Sequence, residues 1–132
     1  MDKKGEKQMK LQSVMLYVKD QSQAVKFWTE VMQFEIINES ALMEEYKSYE
    51  IGTTKESETT IVLFDRAFIE KYSPGVTLDP PSLMFEVEDL EALYYRMKSM
   101  DVTVGELVEM PTGKVFNFSD FEGNYFAVTQ KQ

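Results

Sequence analysis

Ser13-Val14-Met15-Leu16-Tyr17-Val18-Lys19-Asp20 recurs 69 residues later as Ser82-Leu83-Met84-Phe85-Glu86-Val87-Glu88-Asp89. Each copy alternates like a strand and ends on an acidic residue that opens a helical pattern. A unit repeated within one chain points to a single supersecondary motif used twice. The two serines, Ser13 and Ser82, occupy matched positions in it.

Outward from the first copy, Asp20 stands as an N-cap with Gln23 three residues on, a capping-box arrangement. Ala24, Phe27, Trp28 and Val31 follow at helical spacing and read as core. Three strand candidates come next, at Phe34–Ser40, Met43–Ile51 and Glu58–Asp65. The last alternates Thr60, Val62 and Phe64 against Ile61, Leu63 and Asp65. Residues 66–81 hold four breakers, Pro74, Gly75, Pro80 and Pro81, and read as a linker with a helical turn at Ala67–Tyr72. In the second copy Asp89 caps a helix whose apolar stripe is Leu90, Leu93, Tyr94 and Met97. Strands are expected near Val102–Met110, Lys114–Ser119 and Asn124–Gln130, the last two joined by a turn at Asp120-Phe121-Glu122-Gly123. The order is βαβββ twice: an α+β domain over residues 11–130, with modules at 11–66 and 82–130, a linker at 67–81 and a flexible arm at 1–10.

At 132 residues the chain is one domain long, and its 43% apolar content supports a packed core. It contains no histidine and no cysteine. That removes disulfides, thiolate nucleophiles, thiolate zinc sites and histidine-based triads. The N-terminal lysines precede no apolar stretch, so no signal peptide is expected and the cytoplasm is the default location. The net charge is −9, and residues 1–10 carry four lysines against Asp2 and Glu6, so the body is more acidic still. Such a body repels nucleic acid and anionic membranes and attracts cationic ligands.

The order and spacing of these stretches resemble the vicinal oxygen chelate superfamily, which includes glyoxalase I, bleomycin resistance proteins and ring-cleaving dioxygenases. The stretches that carry the likeness are Leu16-Tyr17-Val18-Lys19-Asp20 with Phe27-Trp28, Phe85-Glu86-Val87-Glu88-Asp89-Leu90 with Met97-Lys98, and Asn117-Phe118-Ser119-Asp120-Phe121-Glu122-Gly123-Asn124. The resemblance implies two βαβββ modules forming a curved mixed sheet around a cavity. Metal-using members place one ligand on the first and last strand of each module. Those positions fall here on Ser13, Leu63, Ser82 and Ala127, which do not form a divalent-metal donor set. No metal and no other cofactor is therefore expected, and metal-dependent glyoxalase, dioxygenase and thiol-transferase activities are disfavoured. The family often has glycine after each helix, where Gln33 and Asp101 stand here, and proline where Phe121 stands.

The resemblance also implies a ligand-lined wall of Ser13, Met15, Tyr17, Ile61, Leu63, Ser82, Met84, Glu86, Tyr125 and Ala127, with Asp65 and Thr129 near its ends. An apolar wall with few orienting polar groups suits a small molecule. Glu86 is the candidate for pairing with a ligand cation or for acting as a general base; its other reading is a solvated rim residue. Glu44–Glu45 and Glu86–Glu88–Asp89 read more simply as charged surface than as hard-cation sites. Three functions remain open: a metal-free binding protein that sequesters an aromatic or cationic compound such as an antibiotic, a metal-independent lyase or isomerase using the cavity carboxylate, or an interaction module with a vestigial cavity. Homodimerisation is expected, with the cavity either within one chain or between two.

Overall fold

The computed structural model describes residues 9–132, so most of the expected 1–10 arm lies outside the described residues. The order is β1 (Ser13–Val18), α1 (Gln21–Lys26) continuing as a π-helical turn (Phe27–Val31), β2 (Glu35–Ala41), β3 (Lys47–Gly52), β4 (Thr60–Asp65) and α2 (Arg66–Tyr72). The second half contributes β5 (Met84–Val87), α3 (Leu90–Ser99), β6 (Val108–Met110), β7 (Gly113–Ser119) and β8 (Tyr125–Gln130). The strands form two four-stranded mixed sheets, ordered β1-β4-β3-β2 and β5-β8-β7-β6. This is the expected α+β pair of βαβββ modules, with the two sheets remaining separate within the chain. None of the described helices is long and apolar enough to cross a membrane.

Both helix starts form as their caps require. The Asp20 carboxylate accepts from Gln23 N and that of Asp89 from Ala92 N, each at 3.1 Å. The reciprocal donor at Asp20 is satisfied from the other module. Glu122, in the β7–β8 turn, accepts from Lys19 N at 3.0 Å and Asp20 N at 2.7 Å. Beside it, Phe121 packs edge-on to Phe27, 5.0 Å between centroids. From α3, Arg96 donates to Glu30 O at 2.6 Å and to Val31 O, satisfying carbonyls at the end of the π turn. The second module thus supplies groups at both ends of the first module's helix.

Between the sheets lies one core. Leu16, Val18, Ile51, Ile61 and Leu63 of the first sheet and Phe116, Phe118, Phe126 and Val128 of the second all bury into it. Phe27 and Trp28 fill the middle. Trp28 packs on Phe85 and Phe126 at 5.8 and 5.7 Å, and Phe27 stacks on Phe118 at 6.1 Å. Because strand side chains alternate, the second face of each sheet points away from this core.

Three elements differ from expectation. The strand read as Met43–Ile51 begins only at Lys47, because Tyr46 N closes a turn on Met43 O, with Glu44 left-handed at φ 59°. The stretch read as Val102–Met110 is mostly irregular: Val104 makes an isolated bridge to Phe118 before the short β6. The first helix closes with a π turn, Met32 N to Phe27 O, absent from the second helix. Gln33 and Asp101 do occupy the left-handed positions after the helices, at φ 62° and 60°.

Candidate functional site

Register assigns the outward faces. In β1 and β4, Ser13 pairs with Thr60, Met15 with Val62 and Tyr17 with Phe64. In β3 and β4, Glu50 pairs with Val62 and Ser48 with Phe64. These residues share the outward face of the first sheet. On the second sheet, Met84 pairs with Ala127 and Glu86 with Thr129, while Asn117 and Val115 flank Ala127 and Thr129 from β7.

The expected wall is therefore distributed as follows. Ser13, Met15 and Tyr17 line the outward face of the first sheet; Met84, Glu86, Tyr125, Ala127 and Thr129 line that of the second. Ser82 lies exposed, ahead of β5. Ile61 and Leu63 need correction: they pair with Val14 and Leu16 and bury on the core side, Leu63 completely. The β4 residues that share the face with Ser13 are Thr60, Val62 and Phe64. Asp65 is the N-cap of α2, accepting from Ala67 N at 2.9 Å.

A hydrogen-bonded row crosses the first sheet's outward face. Asn38 Nδ2 donates to Glu50 Oε1 at 2.9 Å, and Thr60 Oγ1 donates to Glu50 Oε2 at 2.7 Å. Ser13 Oγ lies 2.9 Å from Thr60 Oγ1. A threonine hydroxyl has one proton to give, and here it goes to the carboxylate, so Ser13 is the donor to Thr60. The two donors from Asn38 and Thr60 hold the Glu50 carboxyl below the usual carboxylate range. Burial opposes them and loses.

The far end of this face is closed by α2, the helix inside the segment read as a linker. Phe68 of α2 stacks on Phe64 at 6.3 Å and contacts Tyr46 and Tyr72 at 5.3 and 5.0 Å; Tyr17 lies 6.1 Å from Phe64. Glu44 accepts from Lys71 Nζ at 2.5 Å and from the Tyr72 hydroxyl, tying the β2–β3 turn to α2. The result is an aromatic end wall one rung of side chains, about 7 Å along the strands, from the Glu50 row.

Two further hollows lie beside β5. A crevice of about 240 Å³ between the modules is lined by Val14, Phe34, Ile61, Leu83 and Phe85 among others, with no charged residue. A neighbouring groove of about 390 Å³ has Glu86 on its border with Met32, Phe34 and Leu93.

The metal positions implied by the resemblance do not suit a metal. Ser13 is engaged with Thr60, Leu63 faces the core, Ser82 is outside the strand, and Ala127 offers a methyl group. Among the described residues no group of three or more acidic, histidine or cysteine side chains converges as a metal site would require.

A 32% identical relative, the uncharacterised protein YetH of Bacillus subtilis (strain 168), aligns over 119 residues, 89% of this chain and 95% of its own. Among solved structures, TnmS3, an antibiotic binding protein from Streptomyces sp. CB03234, superimposes with a TM-score of 0.77 at 22% identity, covering 94% of this chain and 97% of that one. A protein from Sphaerobacter thermophilus DSM 20745 gives 0.73 at 21% identity, over 93% and 98%. At these identities the superpositions establish the fold. The profile of the Glyoxalase/Bleomycin resistance protein/Dioxygenase superfamily matches residues 10–128, and the chain belongs to that superfamily.

Proposed function

We propose that this protein binds a small aromatic or cationic molecule without a metal, in a site completed between two copies of the chain. The observation that carries the reading is the outward face of the first sheet, where a fixed polar row and an aromatic end wall flank the apolar rung of Met15 and Val62. Small-molecule sites combine apolar walls with a few positioned polar groups in this way.

One core shared by both sheets turns their outward faces away from each other, so a single chain does not close these faces over one ligand. Met15, Met84 and Tyr125 are 42%, 62% and 60% exposed there. β1 and β5 are also edge strands, each with one side open for pairing. A second copy related by a two-fold axis would set β5 of one chain beside β1 of the other and cover both faces. The antibiotic binding described for TnmS3 supports sequestration as the task. The state of Glu50 supports binding over chemistry, because a carboxylate held below its usual range is a weak general base.

A thermal-shift series tests the proposal: aromatic amines and antibiotics, each with a chelator and with added divalent metal. Stabilisation by organic compounds in the presence of chelator is the expected outcome, since a ligand selective for the folded state raises its melting temperature. Stabilisation that requires metal would overturn it.

A further inference from the structure

We infer that Glu50 is the charge-selecting anchor of the first sheet's outward face, receiving a cationic group whose aromatic body rests against the wall built by α2. The inference rests on the binding reading above and assigns the ligand's class. Glu50 is the single charged side chain on the rungs formed by Ser13, Met15, Tyr17, Thr60, Val62, Phe64 and Ser48. Among the described residues it makes no ion pair with lysine or arginine. The described acids Glu39, Glu44, Glu88 and Glu91, by contrast, each lie within 3.2 Å of a lysine nitrogen.

Its geometry is that of a prepared acceptor. Asn38 and Thr60 each engage one oxygen, and Ser13 in turn fixes Thr60, so the carboxylate is held in place. A carboxylate has about four acceptor directions, and these neutral donors use two. The remainder can take an ammonium or guanidinium, and a site already ordered loses little entropy on binding. Thr60 is 5% exposed, so the row is anchored from beneath rather than by the ligand. The aromatic rings beside Met15 and Val62 then suit a ligand with a planar apolar part and would add ring–cation attraction.

The test uses two probes of equal shape, 2-naphthylmethylammonium and 2-naphthylmethanol, titrated calorimetrically into the full-length protein, its Glu50→Gln variant and Glu56→Gln. The last removes the same charge from an exposed loop. The cation should bind wild type and Glu56→Gln about tenfold more tightly than the alcohol, a difference of about 1.4 kcal/mol, and Glu50→Gln should erase that preference. Equal binding of both probes, unchanged in Glu50→Gln, would overturn the anchor and leave the binding reading standing. Binding of neither probe to wild type would overturn the binding reading and the anchor with it. If Glu50→Gln does not fold, Thr60→Val carries the test. It removes one fixing donor and should lower the cation preference about threefold; an unchanged preference in it would overturn the anchor.

Discussion

The two modules share a fold but not a face. Register makes Met15 and Met84 equivalent, then Val62 and Ala127, Glu50 and Asn117, Thr60 and Tyr125, Tyr17 and Glu86. The first module therefore carries a carboxylate at the centre of its outward face and aromatic rings at the end. In the second, the centre is neutral, the carboxylate stands at the end, and Tyr125 replaces the buried threonine that fixes Glu50. The first face is also closed by α2, which follows β4 directly. The core-facing positions are apolar in both modules, Leu16 and Phe85, Val18 and Val87, whereas the outward positions differ in where they place charge and aromatic rings.

The first way to break the comparison is to remove what the modules have in common. Trp28 is buried against rings from β5 and β8, so Trp28→Ala should cost about 3–5 kcal/mol by urea denaturation and melt both modules together. Two separate transitions in the variant would show that the modules do not share one core. Phe68→Ala should cost less, about 2–3 kcal/mol, since Phe68 is buried in a satellite cluster outside the main core. It should weaken binding of 2-naphthylmethylammonium while leaving the native backbone amide chemical shifts of β7 and β8 as in wild type.

The helix ends sharpen the comparison in the opposite direction. Gln33 and Asp101 both pay for a left-handed backbone, but aspartate tolerates that region better. Gln33→Gly should raise stability by about 1 kcal/mol and Asp101→Gly by only a few tenths, read as shifts in the urea midpoint. The smallest expected effect is in acid. The Glu50 carboxyl is held below its ordinary value of 4.5, so its contribution is complete above that pH and is lost as pH falls through the lower folded value. Stability of wild type should therefore decline more steeply than that of Glu50→Gln between about pH 5 and 3. Parallel curves would count against the hydrogen bonds drawn to Glu50.

Much of this was legible in the sequence. The repeat, the two aspartate caps and the aromatic stripe through Phe27 and Trp28 fixed the modules, because alternation and helical spacing are local signals. The facing of β4 was not legible. Thr60, Val62 and Phe64 alternate with Ile61 and Leu63, both sets can be buried, and only pairing with β1 decides which set meets the core. Glu50 escaped notice because residues 43–51 read as one unbroken strand, hiding both the turn at Met43–Tyr46 and the row that starts at Asn38. The role of α2 was hidden for a different reason. Phe68 and Tyr72 sit next to a proline-rich stretch, and nothing local reveals that this helix folds back onto Phe64. The clasp between Glu122 and the backbone of Lys19 and Asp20 spans more than a hundred residues, which no local pattern encodes.

The most direct test of the binding face is an NMR titration of backbone amides with 2-naphthylmethylammonium. Shifts should concentrate at Met15, Glu50, Val62, Phe64 and Phe68, with a second set at Met84 and Ala127 contributed by the facing copy. Shifts confined to the apolar crevice around Val14, Ile61, Leu83 and Phe85, or the absence of any, would contradict a site on the outward face of the first sheet.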